Sequence, residues 1–204
     1  MGRYTGPKWK LSRREGIELR DEGKRALAKR NYVPGAHGPT NKSGRLSGYG
    51  KHLREKQKAK RIYGLYEKQF RNTYNLAVKN TGDTSVNLCQ LLESRLDNIV
   101  YRIGWATSRS QARQLVSHGH ITIDGQKVNI PSYQTKVGSQ ISVKPSYQKK
   151  TYWQGVLGKM EKKNFLSNLN YDHSKHIATI TSKPDMQELA VPFDPTLIIE
   201  FYSK

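Results

Sequence analysis

Between residues 51 and 78 the small and apolar side chains Ala59, Ile62, Tyr63, Tyr66, Phe70, Tyr74 and Ala77 recur at steps of three and four. That spacing lines one face of a helix and predicts a single helix over the whole stretch. Gly64 falls inside it, where it costs about 1 kcal/mol relative to alanine; a close helix crossing would account for it. Residues 80–85 (NTGDTS) form a boundary. Beyond them Leu88, Leu91, Leu92, Leu96, Ile99, Val100 and Ile103 make a broad helical stripe, with Gly104 placed to end it. Ser108 and Gln111 have capping-box spacing, and Ala112, Leu115 and Val116 then predict a short helix closed by Gly119. The period next falls to two. Ile121 and Ile123 alternate before Asp124-Gly125, a strong hairpin signal, and Val128 and Ile130 alternate after it up to Pro131. Val137-Gly138 marks another turn before a third strand at Ile141 and Val143.

The flanks are less regular. Residues 1–50 are rich in glycine, with prolines at 7, 34 and 39. A short helix is expected at about 12–29, where Ser12 and Glu15 have capping-box spacing. Residues 31–50 hold few aliphatic side chains and read as an arm ordered on contact, the alternative being a disordered basic tail. Towards the other end, a short helix is expected within 148–163 and a strand near 177–181. TLIIEFY (196–202) reads as a strand or a buried extended segment. Its apolar side chains need a partner, and the helix at 51–78 offers one. The expected fold is α+β: a mostly helical, discontinuous domain with a small inserted module of two helices and a short antiparallel sheet. The expected divisions are a basic arm at 1–50, a helical domain from 51–85 plus 150–204, and the inserted module at 86–149.

Charge narrows the function. The chain has 36 Lys+Arg against 16 Asp+Glu, a net of +20 over 204 residues. Residues 1–75 carry +14, residues 76–150 carry +6, and residues 151–204 are neutral. Such an excess implies a polyanionic partner, RNA or DNA first, and the gradient assigns most of the binding to the first third. The helix at 51–78 carries many cations against only Glu55 and Glu67, which suits phosphate contact better than an ordinary solvated face. No run of about 18 uncharged apolar residues predicts a membrane span, and MGRYTGPKWK lacks the apolar core of a secretory signal. Cys89 is the one cysteine, which excludes an internal disulfide and a cysteine-cluster metal site, and beside the leucine stripe it reads as a buried thiol. His118 and His120 flank Gly119 without an accompanying carboxylate or cysteine cluster, so a structural or RNA-facing role is expected. Asp97 and Asp124 read as an ordinary helix residue and a turn residue. No catalytic group, metal or cofactor is expected.

Several stretches, taken in order, carry a family resemblance: KLSRREG (10–16), PGAHG (34–38), LREKQKAKR (53–61), IYGLYEKQFRN (62–72), ESRLDNIVY (93–101), TSRSQARQLVSHG (107–119), VNIPSYQ (128–134) and IIEFYSK (198–204). Over essentially its whole length the chain resembles the bacterial-type family of the fourth protein of the small ribosomal subunit. The resemblance implies a non-enzymatic constituent of that subunit in the cytoplasm. It would bind the 5′ domain of small-subunit rRNA, nucleate assembly and contribute to translational accuracy. It also implies contact with ribosomal protein five of the small subunit and a position near mRNA at the entry channel. Carried onto this sequence, Arg95, Arg109 and Arg113 match RNA-facing positions of the inserted module. Arg13, Arg14, Arg54, Lys56, Lys58 and Arg61 match basic stretches of the larger domain. Arg3, Lys8, Lys10, Lys51, Arg71, His118 and Lys127 complete the candidate rRNA-binding set. Some relatives hold the N-terminal region with four cysteines around zinc; no cysteine precedes Cys89 here, so that site does not exist.

Overall fold

Residues 4–19, 27–40, 46–158, 160 and 165–203 are described by a computed structural model of the chain. Contacts divide it into two units, residues 1–85 with 191–204 and residues 86–190. In the first unit α1, Lys8–Glu15, starts after Pro7 and stops at Gly16, whose φ of 67° is left-handed. The helix expected at 12–29 is thus earlier and shorter. Ser12 is not its cap: it is buried inside α1, where its Oγ accepts the Leu19 N–H at 3.4 Å. Residues 20–26 lie outside the described residues, and 27–29 are helical. Helix α2, Gly48–Ile62, is capped by Ser47, which accepts the Gly50 N–H at 3.2 Å. Helix α3 is Glu67–Lys79.

The single helix expected over 51–78 is therefore two. Gly64 adopts φ 62°; its N–H reaches Arg61 O at 3.2 Å, and the Leu65 N–H reaches Lys60 O at 2.9 Å. Those paired bonds are a Schellman ending, with Leu65 buried behind it. The glycine ends a helix instead of permitting a crossing.

The second unit opens with α4, Thr84–Glu93, and α5, Leu96–Ile103, where one helix was expected. A strap at 131–135 causes the break. Tyr133 O and Pro131 O accept the Leu96 and Asp97 N–H groups at 2.9 and 3.1 Å, while Thr135 N–H bonds Ser94 O at 2.9 Å. The strap satisfies donors at the start of α5 that its N-cap, Arg95, cannot serve. Helix α6, Arg109–Ser117, starts as expected, with Ser108 accepting the Gln111 N–H at 3.3 Å.

Next come β1 (Ile121–Ile123), β2 (Gln126–Lys127), β3 (Gln140–Val143), α7 (Pro145–Gln148), α8 (Thr151–Leu157), β4 (Leu169–Asp172), β5 (Ile177–Ile180) and α9 (Met186–Leu189). The hairpin turn is as expected, with positive φ at Asp124 and Gly125. Its second strand is shorter than the alternation implied, and Ile130 is exposed.

The five strands form one antiparallel sheet in the order β2-β1-β3-β5-β4, with Thr122 opposite Ser142 and Ile141 opposite Ala178. Hence β4 and β5 extend the sheet of the small module. Residues 150–190 belong to this unit, whereas the sequence pattern assigns them to the helical domain. Leu96, Ile103, Ile121, Ile141, Trp105 and Trp153 are fully buried in its core, the two indoles edge to face at 5.9 Å. Each such side chain contributes about 1.5–3 kcal/mol. Cys89 is buried, as expected.

The chain returns to the first unit with α10, Pro195–Ser203, which packs on α2. The segment expected to be extended is helical because Asp194 Oδ1 accepts the Thr196 N–H at 2.8 Å, with Pro195 opening the helix. Ile198 is buried, Phe201 lies 5.7 Å from Tyr49, and Tyr202 stacks on Tyr74 at 4.8 Å. Among the described residues no helix is long and apolar enough to cross a membrane.

Candidate nucleic-acid interface

The first unit presents two kinds of cation. Lys8, Lys10 and Arg14 on α1, Lys51 on α2 and Arg71 on α3 are exposed. Arg13, Arg54, Lys56, Lys58 and Arg61 are engaged. Arg13 donates through Nε to Tyr32 O at 3.1 Å and lies 4.8 Å over that residue's ring. Arg54 and Arg61 both donate to Glu15 Oε1, Arg54 at 3.2 Å. Burial pushes the Glu15 carboxyl up in pKa against the pull of Arg61 and Arg54, and burial lowers Arg61. Lys58 pairs with Glu55, whose other oxygen accepts the Asp194 N–H at 3.0 Å.

Lys56 is buried. Its ammonium donates to both oxygens of Glu67 at 3.0 and 2.9 Å and lies 4.7 Å from the centre of the Phe201 ring. Lys60 and the Tyr202 hydroxyl donate to the same carboxylate at 2.9 and 2.6 Å. Burial alone would raise Glu67, but the hydrogen bonds from Tyr202, Lys56 and Lys60 outweigh it and hold the group at about 2.

In the second unit the arginines meet two buried carboxylates. Asp97 accepts from Arg95 Nε and Nη2 at 3.1 and 2.9 Å, and from Arg113 Nε and Nη2 at 2.9 and 2.7 Å. Glu93 accepts from Arg102 Nε and Nη2, both at 2.9 Å, and from Asn98 Nδ2 at 2.7 Å. Asn98 Oδ1 in turn accepts from Arg109 Nε at 2.7 Å, and the Arg109 guanidinium lies 4.6 Å over the Tyr101 ring. Fork-shaped guanidinium groups suit such two-point bonding, which a lysine could not reproduce.

By sequence Asp97 reads as an ordinary helix residue, and Glu93, Asn98 and Arg102 do not stand out. A signal for them exists: Glu93 and Asp97 stand four positions apart in the sequence within an apolar stripe, where charged groups are buried only if paired.

His118 is exposed, and the side chain of exposed Lys127 crosses Gly119, where a Cβ would stand 2.2 Å from Lys127 Cε. His120 stacks on Tyr147 at 3.9 Å, and its Nδ1 accepts the Trp153 indole N–H at 3.1 Å. Burial, with Lys150 and His118, lowers its pKa. This is a satisfied histidine. Arg3 lies outside the described residues. Among the described residues no cluster of three or more His, Cys, Asp or Glu has the arrangement to hold a metal ion.

The chain thus has a cation-bearing helical unit and a small helix-and-sheet unit whose arginines are held by buried carboxylates. Residues 3–93 match the family described as the ribosomal protein S4/S9 N-terminal domain, and residues 94–141 match the S4 domain. The small ribosomal subunit protein uS4 of Geobacillus sp. (strain WCH70) is 49% identical, and those of Listeria monocytogenes serotype 4a and Roseiflexus sp. (strain RS-1) are 47% and 44% identical. Each match covers 100% of both chains. The chain belongs to the small ribosomal subunit protein uS4 family.

Proposed function

We propose that the protein is a structural, rRNA-binding constituent of the small ribosomal subunit, acting by charge neutralisation and geometric clamping with no bond made or broken. The observation that carries this reading is end-to-end similarity to proteins named for that subunit. The distribution of cations supports it. Exposed Lys8, Lys10, Arg14, Lys51, Arg71, His118 and Lys127 are placed for direct phosphate contact, and Arg13, Arg54, Lys58, Arg61, Arg109 and Arg113 are partly exposed. Arg3 stays in the proposed set. Lys56 and Arg95 are buried in ion pairs and are assigned to supporting the others. Duplex RNA offers mainly shape, phosphates and 2′-hydroxyls, so the placement of basic groups governs recognition.

The finer reading is that the target is the 5′ domain of small-subunit rRNA, bound early so as to nucleate assembly. Ribosomal protein five of the small subunit and mRNA near the entry channel would be neighbours, with a contribution to translational accuracy.

Filter binding tests the proposal: a 5′-domain junction fragment is expected to bind much more tightly than unrelated duplex RNA at moderate salt. Equal affinities would overturn it. Replacing Lys8, Lys10 and Arg14 together with Ala is expected to weaken binding and to reduce the salt slope by about one for each phosphate no longer neutralised, with thermal stability unchanged.

A further inference from the structure

We propose that Asp97 and Glu93 are positioning residues, two buried carboxylates that hold the arginines of the second unit in the geometry in which Arg109 and Arg113 meet RNA. The proposal rests on the reading that Arg109 and Arg113 are RNA contacts, and it explains what makes them effective ones.

The geometry is specific. Both carboxylates are almost wholly buried, their side chains 4% and 2% exposed, yet the Arg113 side chain that reaches Asp97 keeps 21% of its surface open. Asp97 fixes the Nε edge of Arg113 from within, so the rest of the guanidinium is oriented before any ligand arrives. Glu93 acts at one remove. By taking the Nδ2 group of Asn98 it fixes the orientation of that amide, so that Oδ1 is the atom turned to Arg109 Nε. Tyr101 then supports the Arg109 guanidinium from below.

A free arginine side chain surrenders much rotamer freedom on binding a phosphate. One already held by a buried partner has little left to lose, which is how preorganisation raises affinity. Arg95 and Arg113 share the Asp97 carboxylate, Arg102 takes that of Glu93, and Arg109 is reached through Asn98.

The sign of one substitution separates this role from simple electrostatics. Removing a negative charge beside RNA-binding arginines should tighten binding if charge alone matters. If Asp97 positions Arg113, Asp97→Asn must weaken binding although the protein becomes more positive. With the full chain and a 5′-domain rRNA fragment at fixed salt, the expected result is at least a fivefold loss of affinity for the folded fraction, established by near-ultraviolet circular dichroism. Unchanged or tighter binding overturns the proposal.

Because Asp97→Asn strands two guanidinium groups and could prevent folding, a measurement on the unaltered protein stands beside it. Nitrogen relaxation at the Nε of Arg109 and Arg113, without RNA, should give order parameters near those of rigid backbone. Values in the flexible range, below about 0.6, overturn the proposal. Arg109→Ala and Arg113→Ala separate the two levels of argument. If neither weakens RNA binding, the underlying reading fails and the positioning role with it. If they weaken binding while Asp97→Asn does not, positioning alone is rejected.

Discussion

The two units solve the problem of stability with different materials. The second unit is organised by apolar volume: one core joins α5, α6, the sheet and α8, with two indoles wholly withdrawn from water, and its ion pairs are sunk into that frame. The first unit has far less to bury. Ala59, Phe70, Ala77 and Ile198 are its fully enclosed apolar side chains among the described residues, and around them lie aromatic contacts and carboxylates that each gather two cations: Glu15 takes Arg54 and Arg61, and Glu67 takes Lys56 and Lys60. A surface devoted to binding a polyanion leaves fewer positions for core residues. Glu15 and Glu67 therefore act as fasteners in the first unit, and the second unit, with a core to spare, uses acids to aim arginines.

This contrast can be broken at several points, the largest first. Trp105→Ala should remove about 3–5 kcal/mol, as expected for emptying a fully packed aromatic site, measured by chemical denaturation. Hydrogen exchange should show protection falling first in β1, β3 and β5. A loss below about 1 kcal/mol would mean that the second unit is not held by one core. Gly64→Ala should cost about 1–2 kcal/mol, because an L side chain is forced to φ 62° at the end of α2; an unchanged melting temperature would show that the Schellman ending is dispensable.

The smallest effect belongs to Glu67. Its folded pKa is depressed to about 2 from the ordinary 4.5, so its contribution is present above about pH 4.5 and lost as pH falls towards 2. With its side chain 46% exposed, the contribution is screened to roughly 0.2–1 kcal/mol. The stability difference between the parent and Glu67→Gln should shrink over that pH window; a difference constant from pH 6 to pH 2 would remove Glu67 as a fastener.

Much of the fold is legible in the sequence wherever a local rule governs. The turn at Asp124-Gly125, the cap at Ser108, the left-handed Gly104 and the alternation at Ile121 and Ile123 each depend on neighbours a few positions away. What escapes a sequence reading depends on distant partners. The division of α4 from α5 is enforced by carbonyls at Pro131 and Tyr133, and no periodicity in the leucine stripe announces it. The allegiance of β4 and β5 to the small sheet is a pairing of Gln140 with Thr179 that composition cannot show. Helix α10 is a local signal misread: Asp194-Pro195 opens a helix, and Leu197, Ile198, Phe201 and Tyr202 fit its period, but a run of β-branched and aromatic residues suggests a strand. As a population the cations stand where the charge gradient puts them. Which of them are committed internally becomes clear only with Glu15, Glu67, Glu93 and Asp97 in place.

The docking of α10 bears on how the chain is made. Glu55 meets Asp194, and Glu67 meets Tyr202, across 139 and 135 residues of sequence. During synthesis α2 and α3 therefore emerge with their apolar seam bare and Glu67 lacking its Tyr202 bond, while all of the second unit is still to come. The second unit has its members contiguous in sequence and can mature as soon as it is released. The first unit is meanwhile incomplete, its highly positive helices waiting on the late-made α10 for their last contacts.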